Sequence, residues 1–403
     1  MAISTEPVEA DVVGRYVELG LRLGRHLDGL VDAYYGPADL ASRIDAEPAR
    51  PLPALVEDAR RLVADLDAGA GDLDARRRAW LRAQAAGLHT VGRKLGGEDI
   101  GYADEVESCY GVRPQAVPED DLAAAHRRLD DVLPGSGALA DRLIAWREAH
   151  AVPVDKLDEA IRSLADDFRE RTDALFGLPE GEHVDFMFET DKPWAGFNYY
   201  LGGLRSRVAI NVDLPVLSTS LGHLVAHEAY PGHHTEHSRK EVGLVRRRDQ
   251  QEEAIFLVGT PQCLLAEGLA DLGLEVLVGA RPEPVLAEHL RPLGIRYDAE
   301  VVAAVATAAE ALAAVRGNVA LLLNEDGADA EVAVAYLERW ALLPRNRAEK
   351  AVEFLTDPTW RAYISCYVEG LPLCREFVAG DPARFQRLLS EQLIPSDLVP
   401  PVL

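Results

Sequence analysis

Apolar residues recur every three to four positions along most of this 403-residue chain, which is the period of an α-helix. In the first such segment, Val13, Tyr16 and Val17 follow this spacing and therefore fall on one helix face. Stretches that contain proline and glycine, such as LPGSG at 133–137, separate successive segments. The pattern predicts helices near 10–31, 54–69, 74–96, 119–133, 137–150, 155–176, 216–230, 233–243, 247–279, 283–293, 298–323, 328–342, 345–355, 358–370 and 381–393.

One part of the chain departs from the helical period and alternates apolar and polar residues. The alternation covers HVDFMFE at 183–189 and SRVAINV at 206–212, and the pair Gly202-Gly203 separates the second run from FNYY. Two glycines between strand-like runs are typical of a tight hairpin. The sequence therefore predicts a mainly α fold, a helical body around a deep cleft, with a small antiparallel β element at about 183–213.

The length of the chain allows one large domain or two. No linker of distinct composition marks a boundary, and no internal repeat is present. We expect an N-terminal helical part at 1–150 that covers the cleft and a second part at 151–403. The alternative is one continuous domain.

Composition and charge narrow the possible partners and the location. The chain has 42 basic and 67 acidic residues, a net charge of −25, which argues against nucleic acid or an anionic membrane surface as a partner. No run approaches the roughly 18 apolar residues of a membrane span, and the N-terminus lacks a secretory signal pattern. The four cysteines form no CxxC pair, which is typical of a reducing compartment. These features predict a cytoplasmic location.

Histidines concentrate in HEAYPGHHTEH at 227–237, which holds four of the 11 in the chain. In the H-E-x-x-H helix of zinc peptidases, two histidines four residues apart bind the metal and the glutamate activates a water. Here Pro231 stands at the fourth position and cannot be a ligand. An unbroken helix would place His233 on the far side and His234 about 10 Å along the axis. A kink at 230–232 would bring a later histidine back beside His227.

The histidine-rich segment could be an exposed helix end without function, but a pair of acidic residues further along the chain supports a metal site instead. LLAEGLADLGLE sets Glu267 and Asp271 four residues apart, on one face of a predicted helix and among leucines. An unpaired carboxylate would be costly in such an apolar frame. Zinc peptidases whose third ligand is a glutamate use this spacing, with the second acid bound to a ligating histidine. Together the two segments predict a zinc site in the 151–403 part.

These segments resemble a bacterial family labelled as a domain of unknown function, whose pattern is H-E-x-x-P-G-H-H. The family is similar in outline to the gluzincins, the zinc peptidases typified by thermolysin, and to helical members such as thimet oligopeptidase and dipeptidyl peptidase III. The likeness extends to LVDAYYGP at 30–37, DKPWAGFNYYLGGLRSRVAINVDLP at 191–215 and RAYISCYVEG at 361–370. It covers most of the chain, and the eight-residue motif is highly specific.

The resemblance implies a role for each matching residue. His227 would be the first zinc ligand, Glu228 the general base and Glu267 the third ligand. Asp271 would hydrogen-bond a ligating histidine. The second histidine ligand is open between two neighbours, His233 and His234.

His233 requires two inserted residues relative to H-E-x-x-H, and His234 requires three. We prefer His233 as the ligand. His234 would then lie beside it, either ligating the metal or facing the substrate as a catalytic residue.

A late segment, TWRAYISCYVEG, offers substrate contacts. We expect Tyr367 to donate a hydrogen bond to the oxyanion, and Arg361 and Tyr363 to contact the substrate. Arg205 on the hairpin is a weaker substrate-binding candidate. The alternative is that the tyrosines belong to an amphipathic core and the hairpin arginine is solvated. Strand 206–212 is expected to form the edge of the cleft, where a peptide backbone could pair.

The predicted function is zinc-dependent hydrolysis of amide bonds in short peptides, of oligopeptidase, dipeptidase or carboxypeptidase type. Glu228 would deprotonate the attacking water and pass the proton to the leaving amine. Two alternatives remain at this stage: an amidohydrolase acting on a small non-peptide amide, and a catalytically silent metal-binding protein. The sequence leaves the substrate, exo- or endo-cleavage and the oligomeric state open.

Overall fold

The computed structural model describes residues 11–192 and 194–399 and confirms a mainly α fold with a small β element. The helices are α1 Val12–Gly24, α2 Ala38–Ala46, α3 Leu52–Asp67, α4 Ala75–Leu95, α5 Tyr102–Tyr110, α6 Glu119–Val132, α7 Leu139–Glu148, α8 Val154–Phe176, α9 Ser218–Glu228, α10 His233–Lys240, α11 Pro261–Val278, α12 Glu283–Leu290, α13 Ala299–Ala309, α14 Val315–Asn324, α15 Ala330–Trp340, α16 Arg345–Thr356, α17 Ile364–Val378, α18 Pro382–Leu388 and α19 Pro395–Leu398. The strands are β1 Val31–Tyr34, β2 His183–Glu189, β3 Gly196–Tyr200, β4 Arg205–Asn211 and β5 Ile255–Leu257.

Most helices lie where the apolar spacing predicts them, because that spacing gives each one a face to bury. In α1 the predicted face is buried, with Tyr16 and Leu23 fully enclosed. The Asp11 side chain accepts a hydrogen bond from the Gly14 N–H at 2.7 Å and so caps the first turn. None of the described helices is both long and apolar enough to cross a membrane.

Two differences from the predicted elements have a tertiary cause. The segment predicted as one helix at 247–279 contains strand β5, and the first predicted helix, at 10–31, ends earlier, because α1 stops at Gly24 and strand β1 begins at Val31. These short strands pair antiparallel with each other across more than 200 residues of sequence. A short apolar run is compatible with a buried strand and with a helix, so local periodicity could not distinguish these two structures.

The predicted β element is a three-stranded sheet in the order β2-β4-β3. β3 and β4 form the expected antiparallel hairpin, whereas β2 runs parallel to β4. The chain reverses direction twice, so the third strand inserts beside the first with the same orientation. The expectation that strand 206–212 forms a cleft edge is wrong, because β4 is hydrogen-bonded on both sides. β3 is the edge strand on the side away from β2.

Hydrophobic clusters join chain segments from both sides of residue 150. One cluster packs Leu143 and Trp146 of α7 against Leu164 and Phe168 of α8, together with residues of α9. The β1–β5 pair also connects the two parts. The division of the chain near residue 150 therefore remains a prediction, and the described core is shared across it.

Helices α11 and α17 cross at a contact between backbones. A Cβ atom on Gly268 would lie 2.3 Å from the Gly370 carbonyl oxygen and 2.8 Å from Cys374 Sγ. These distances are shorter than van der Waals contact, so only glycine allows the helices to approach this closely. The crossing positions the residues that precede Gly370 beside Glu267.

We expect Gly268→Ala to destabilise the protein by about 1–3 kcal/mol, because the added methyl group forces the two backbones apart. Thermal and urea unfolding measure this effect. Gly243→Ala is the matched control, since no atom lies within 4 Å of the Cβ it would add. Equal stability of the two variants would contradict the close crossing.

Candidate metal centre

The helix that carries the H-E pair is interrupted where the sequence places Pro231. α9 ends at Glu228, residues 229–232 form a turn with a cis peptide bond before Pro231, and α10 begins at His233. The Gly232 N–H donates to the Ala226 carbonyl at 2.9 Å. A Cβ on Gly232 would lie 1.9 Å from the His227 carbonyl oxygen, so this position requires glycine. The turn folds α10 back so that His233 lies beside His227.

Three side chains converge where α10 folds back toward α9. His227 Nε2 lies 3.1 Å from His233 Nε2 and 3.4 Å from Glu267 Oε2, and His233 Nε2 lies 3.7 Å from Glu267 Oε1. Zinc bonds of about 2.0–2.1 Å in a tetrahedron place ligand atoms about 3.3 Å apart. The observed separations fall on both sides of that value. The side chains are only 8–13% exposed, so the three groups face one another in a buried site.

The hydrogen bonds around these atoms fit a cation at the centre. His227 Nδ1 lies 2.9 Å from Asp271 Oδ1, and a carboxylate can only accept there, so Nε2 is left to face Glu267. Glu267 Oε2 is buried without a hydrogen-bond partner among the described residues. Burial lowers the pKa of His233 to about 4, which leaves this imidazole neutral, as a ligand must be. Two histidines and one carboxylate form a donor set that zinc prefers.

A shared proton is the competing occupant of this position. Although burial opposes protonation of His227, its hydrogen bond with Asp271 and the nearby carboxylate of Glu267 raise its pKa. In the absence of a cation, a proton between His227 and His233 would supply the positive charge that balances the carboxylates of Glu267 and Asp271. Metal binding would release that proton, which is the usual coupling at histidine sites.

Supporting contacts hold the predicted ligands in place. Burial opposes the ionisation of Asp271, yet hydrogen bonds with His223 and His227 hold the pKa of this carboxyl group below its usual value. The Tyr363 hydroxyl donates to Glu267 Oε1 at 2.7 Å. Asp271 thus fixes the orientation of His227, and Tyr363 fixes that of Glu267.

A second group, His223, His227 and Asp271, also has three potential ligand atoms within 4.8 Å of one another. The His223 side chain is 47% exposed, and its Nε2 lies 3.3 Å from Asp271 Oδ1. Binding a metal there would use the oxygen that orients His227. The buried group of His227, His233 and Glu267 leaves that contact intact, so it is the stronger candidate.

His234 lies elsewhere, and its assignment as ligand or catalytic residue needs correction. The side chain is fully buried, with Nδ1 2.8 Å from Ser206 Oγ and Nε2 2.8 Å from Glu182 Oε2. Tyr230 also donates to Glu182 Oε2, at 2.7 Å. Both ring nitrogens of His234 are therefore occupied by the fold. This residue connects α10 to β4, and it has no free atom for a metal or a substrate.

Glu228 lies beside the converging atoms but is not one of them. Its backbone carbonyl accepts a hydrogen bond from Asn198 Nδ2 at 2.5 Å, which ties α9 to the edge strand β3. A Cβ on Gly196 would lie 3.1 Å from Glu228 Oε1, so the carboxylate packs directly over β3. Burial raises the pKa of Glu228 to about 7. The positive charge of His227 would lower this pKa, but the negative charges of Glu267 and Asp271 offset part of that effect. A carboxyl group with such a pKa can accept and return a proton near neutral pH.

The other predicted substrate contacts divide into two groups. Tyr367 is 42% exposed, and its ring lies 5.4 Å from that of Tyr363, whose hydroxyl contacts Glu267. Arg361 instead pairs with Glu105 at 2.8 Å and donates to the Ile100 carbonyl at 2.7 Å. These contacts tie Arg361, which precedes α17, to α5 and the residues before it. The predicted contact of Arg361 with substrate therefore needs correction.

Tyr363 and Arg205 also differ from their predicted role. The Tyr363 hydroxyl is occupied by Glu267. Arg205 lies at the beginning of β4, where it pairs with Asp185 at 3.2 Å, while Gly196 beside Glu228 faces Ile210 near the other end of that strand. The structure therefore does not place Arg205 with Glu228 and the converging ligand atoms.

Asp32 is a residue of this site that sequence reasoning missed. Val31 pairs with Leu257 and Ala33 with Phe256, so Asp32 is an extra residue in β1, a β-bulge. Burial and the negative charges of Glu267 and Glu228 raise the pKa of Asp32 to about 7. A single acid in an apolar segment gives no sequence signal for such a position. When ionised, this carboxylate would add to a negative potential that favours a bound cation.

Comparisons with known proteins support the fold but not a family. No protein-family model matches the chain, and no curated protein matches it. A crystal structure of a candidate lipoprotein from Colwellia psychrerythraea aligns with 85% of the chain, with 16% identity and a TM-score of 0.51. The chain spans 65% of that protein's length, so the likeness concerns the fold alone.

Two further structures are similar at lower TM-scores. A candidate lipoprotein of unknown function from Shewanella oneidensis aligns with 97% of this chain and 82% of its own, at 15% identity and a TM-score of 0.46. The M32 carboxypeptidase from Deinococcus radiodurans R1 aligns with 96% of this chain and 93% of its own, at 12% identity and a TM-score of 0.41. TM-scores below 0.5 support no functional argument.

Proposed function

We propose that this protein is a zinc-dependent hydrolase that cleaves amide bonds of short peptides. The observation that carries the proposal is the convergence of His227, His233 and Glu267, with Glu228 beside them. These three side chains would hold the zinc ion. A bound zinc ion would supply Lewis acidity and lower the pKa of a water molecule.

The residues of this chain would perform the proton transfers and the positioning. Glu228 would accept a proton from the attacking water and deliver it to the leaving amine. Asp271 keeps His227 oriented, and Tyr363 keeps Glu267 oriented. Tyr367 would donate a hydrogen bond to the oxygen that becomes negative during attack.

The substrate would lie along β3, the edge strand next to Glu228. The Leu201 N–H donates to the Arg205 carbonyl and the Asn211 N–H to the Ala195 carbonyl, so alternate residues of β3 bond to β4. The backbone groups of Gly196 and Asn198 then point to the opposite edge. An extended peptide could pair with that edge beside the metal centre.

Digestion of a peptide library by the zinc-loaded protein tests this function. We expect cleavage of short peptides that stops when a chelator removes the metal and returns when zinc is added. The same assay with small non-peptide amides examines the amidohydrolase alternative. A protein that binds zinc but cleaves neither class would be a metal-binding protein without this activity.

The two late tyrosines should have separable effects. Tyr367→Phe is expected to lower kcat by about 10²-fold with little change in KM or zinc affinity, because it removes a donor used mainly in the transition state. Tyr363→Phe should instead weaken zinc binding by about 10-fold or more, because it removes the hydrogen bond to Glu267. Steady-state kinetics and zinc titration measure the two effects. Unchanged kcat in Tyr367→Phe would remove that residue from the mechanism.

A further inference from the structure

Helices α7, α14 and α17 contribute residues to the lining of a cavity of about 350 Å³. Its lining includes two arginines, Arg147 and Arg316, and one tyrosine, Tyr367. The remaining lining residues are aliphatic, and no carboxylate is among them. The cavity therefore presents two positive groups within apolar walls.

The two guanidinium groups have no carboxylate partner among the described residues. Within residues 11–192 and 194–399, neither Arg147 nor Arg316 forms an ion pair or a side-chain hydrogen bond, although the chain carries a net charge of −25. Arg147 is half-buried and Arg316 is exposed, so a solute can reach them.

Tyr367 connects the cavity with the metal centre. It lines the cavity, and its ring lies 5.4 Å from the ring of Tyr363. The Tyr363 hydroxyl in turn contacts Glu267. A substrate whose reacting bond lies at the metal centre could therefore extend past Tyr367 and place its next group between the arginines.

We propose that this cavity binds a carboxylate group of the substrate, an inference that rests on the proposed peptide hydrolysis. The planar guanidinium fork of arginine matches the two oxygens of a carboxylate. The aliphatic walls would enclose the side chain of the residue that bears it. Two sources supply this chemistry, the C-terminal carboxylate of a short peptide and an acidic side chain.

The kinetic test uses three N-acetylated peptides that share the scissile bond: one with a free C-terminus, its C-terminal amide, and an amide with an acidic side chain in the last residue. We expect kcat/KM for the free acid to exceed that for the neutral amide by about 10–100-fold. Arg316→Met and Arg147→Met should each remove about 10-fold or more of this preference, mainly through KM, and leave the neutral amide within about twofold. The acidic amide identifies the source: it equals the free acid only if a side-chain carboxylate is bound.

Arg60→Met is the matched control, because Arg60 pairs with Glu57 on an exposed face of α3 and lies outside the cavity. It should retain the full preference. Equal kcat/KM for all three peptides in the unmodified protein, with no effect of either cavity variant, would overturn the proposal. Peptide hydrolysis would stand in that case.

Direct binding separates the subsite from the hydrolysis. Calorimetry with the zinc-loaded Glu228→Gln variant measures affinity for the three N-acetylated peptides without turnover. Tighter binding of either acidic peptide that is lost in Glu228→Gln combined with Arg316→Met supports the subsite even if the unmodified protein hydrolyses no peptide. Equal binding of the neutral amide, the free acid and the amide with an acidic side chain overturns it.

Discussion

Replacing Glu228 with glutamine is expected to lower kcat by about 10²–10⁴-fold while the protein still binds about one zinc ion per chain. Glutamine has nearly the same shape, but it cannot accept the proton from the attacking water. Glu228 lies over Gly196 and is not among the three converging atoms, so the metal site should remain intact. Zinc analysis and steady-state kinetics on the same preparation measure both quantities.

Glu288→Gln provides the control, because Glu288 is exposed on α12 and outside the candidate centre. That variant should retain both zinc and activity. Full activity in Glu228→Gln would exclude Glu228 as the base. Loss of zinc in the same variant would mean that Glu228 is a ligand, contrary to the geometry.

Replacing His233 with alanine is expected to weaken zinc binding by more than about 10²-fold, because even a residue that only orients a ligand contributes about 10–100-fold. Unfolding of the metal-free protein should change little. His234→Ala should show the opposite behaviour: it leaves Glu182 and Ser206 without a buried partner, which costs about 1–3 kcal/mol for each group, and it retains the zinc ligands.

Zinc titration and thermal unfolding of the metal-free forms distinguish the two histidines. If His234→Ala loses zinc and His233→Ala keeps it, the ligand assignment is reversed. If both variants bind zinc as tightly as the unmodified protein, the converging site is not where zinc binds.

Several features of the fold and the site followed from local sequence. Helix positions such as 119–132 and 154–176 were predictable because a helical segment must bury an apolar face whatever it packs against. The spacing of Glu267 and Asp271 was equally local, since one helical turn places both on the same face. The H-E pair and Pro231 indicated an interrupted helix before any packing was known.

The choice between His233 and His234 required the tertiary structure. One residue of difference in the turn decides which imidazole faces His227, and that turn is fixed by contacts with other elements. Gly273 of α11 lies against Pro231, and His234 is held by Ser206 and Glu182. Sequence spacing limits the distance between two residues but does not determine the direction of their side chains.

The helical class of this protein, the glycine hairpin and the residues able to hold a metal could be read from the amino-acid sequence alone, because each depends on neighbours within a few positions. Three features became evident only from the folded chain: β4 is a central strand, the bulged Asp32 senses the charges of Glu267 and Glu228 in the candidate metal centre, and Arg147 and Arg316 share a cavity with Tyr367. These contacts join residues tens to hundreds of positions apart. Their physical cause is the packing of buried surfaces, which fixes where distant segments meet and leaves no periodic signal in the chain.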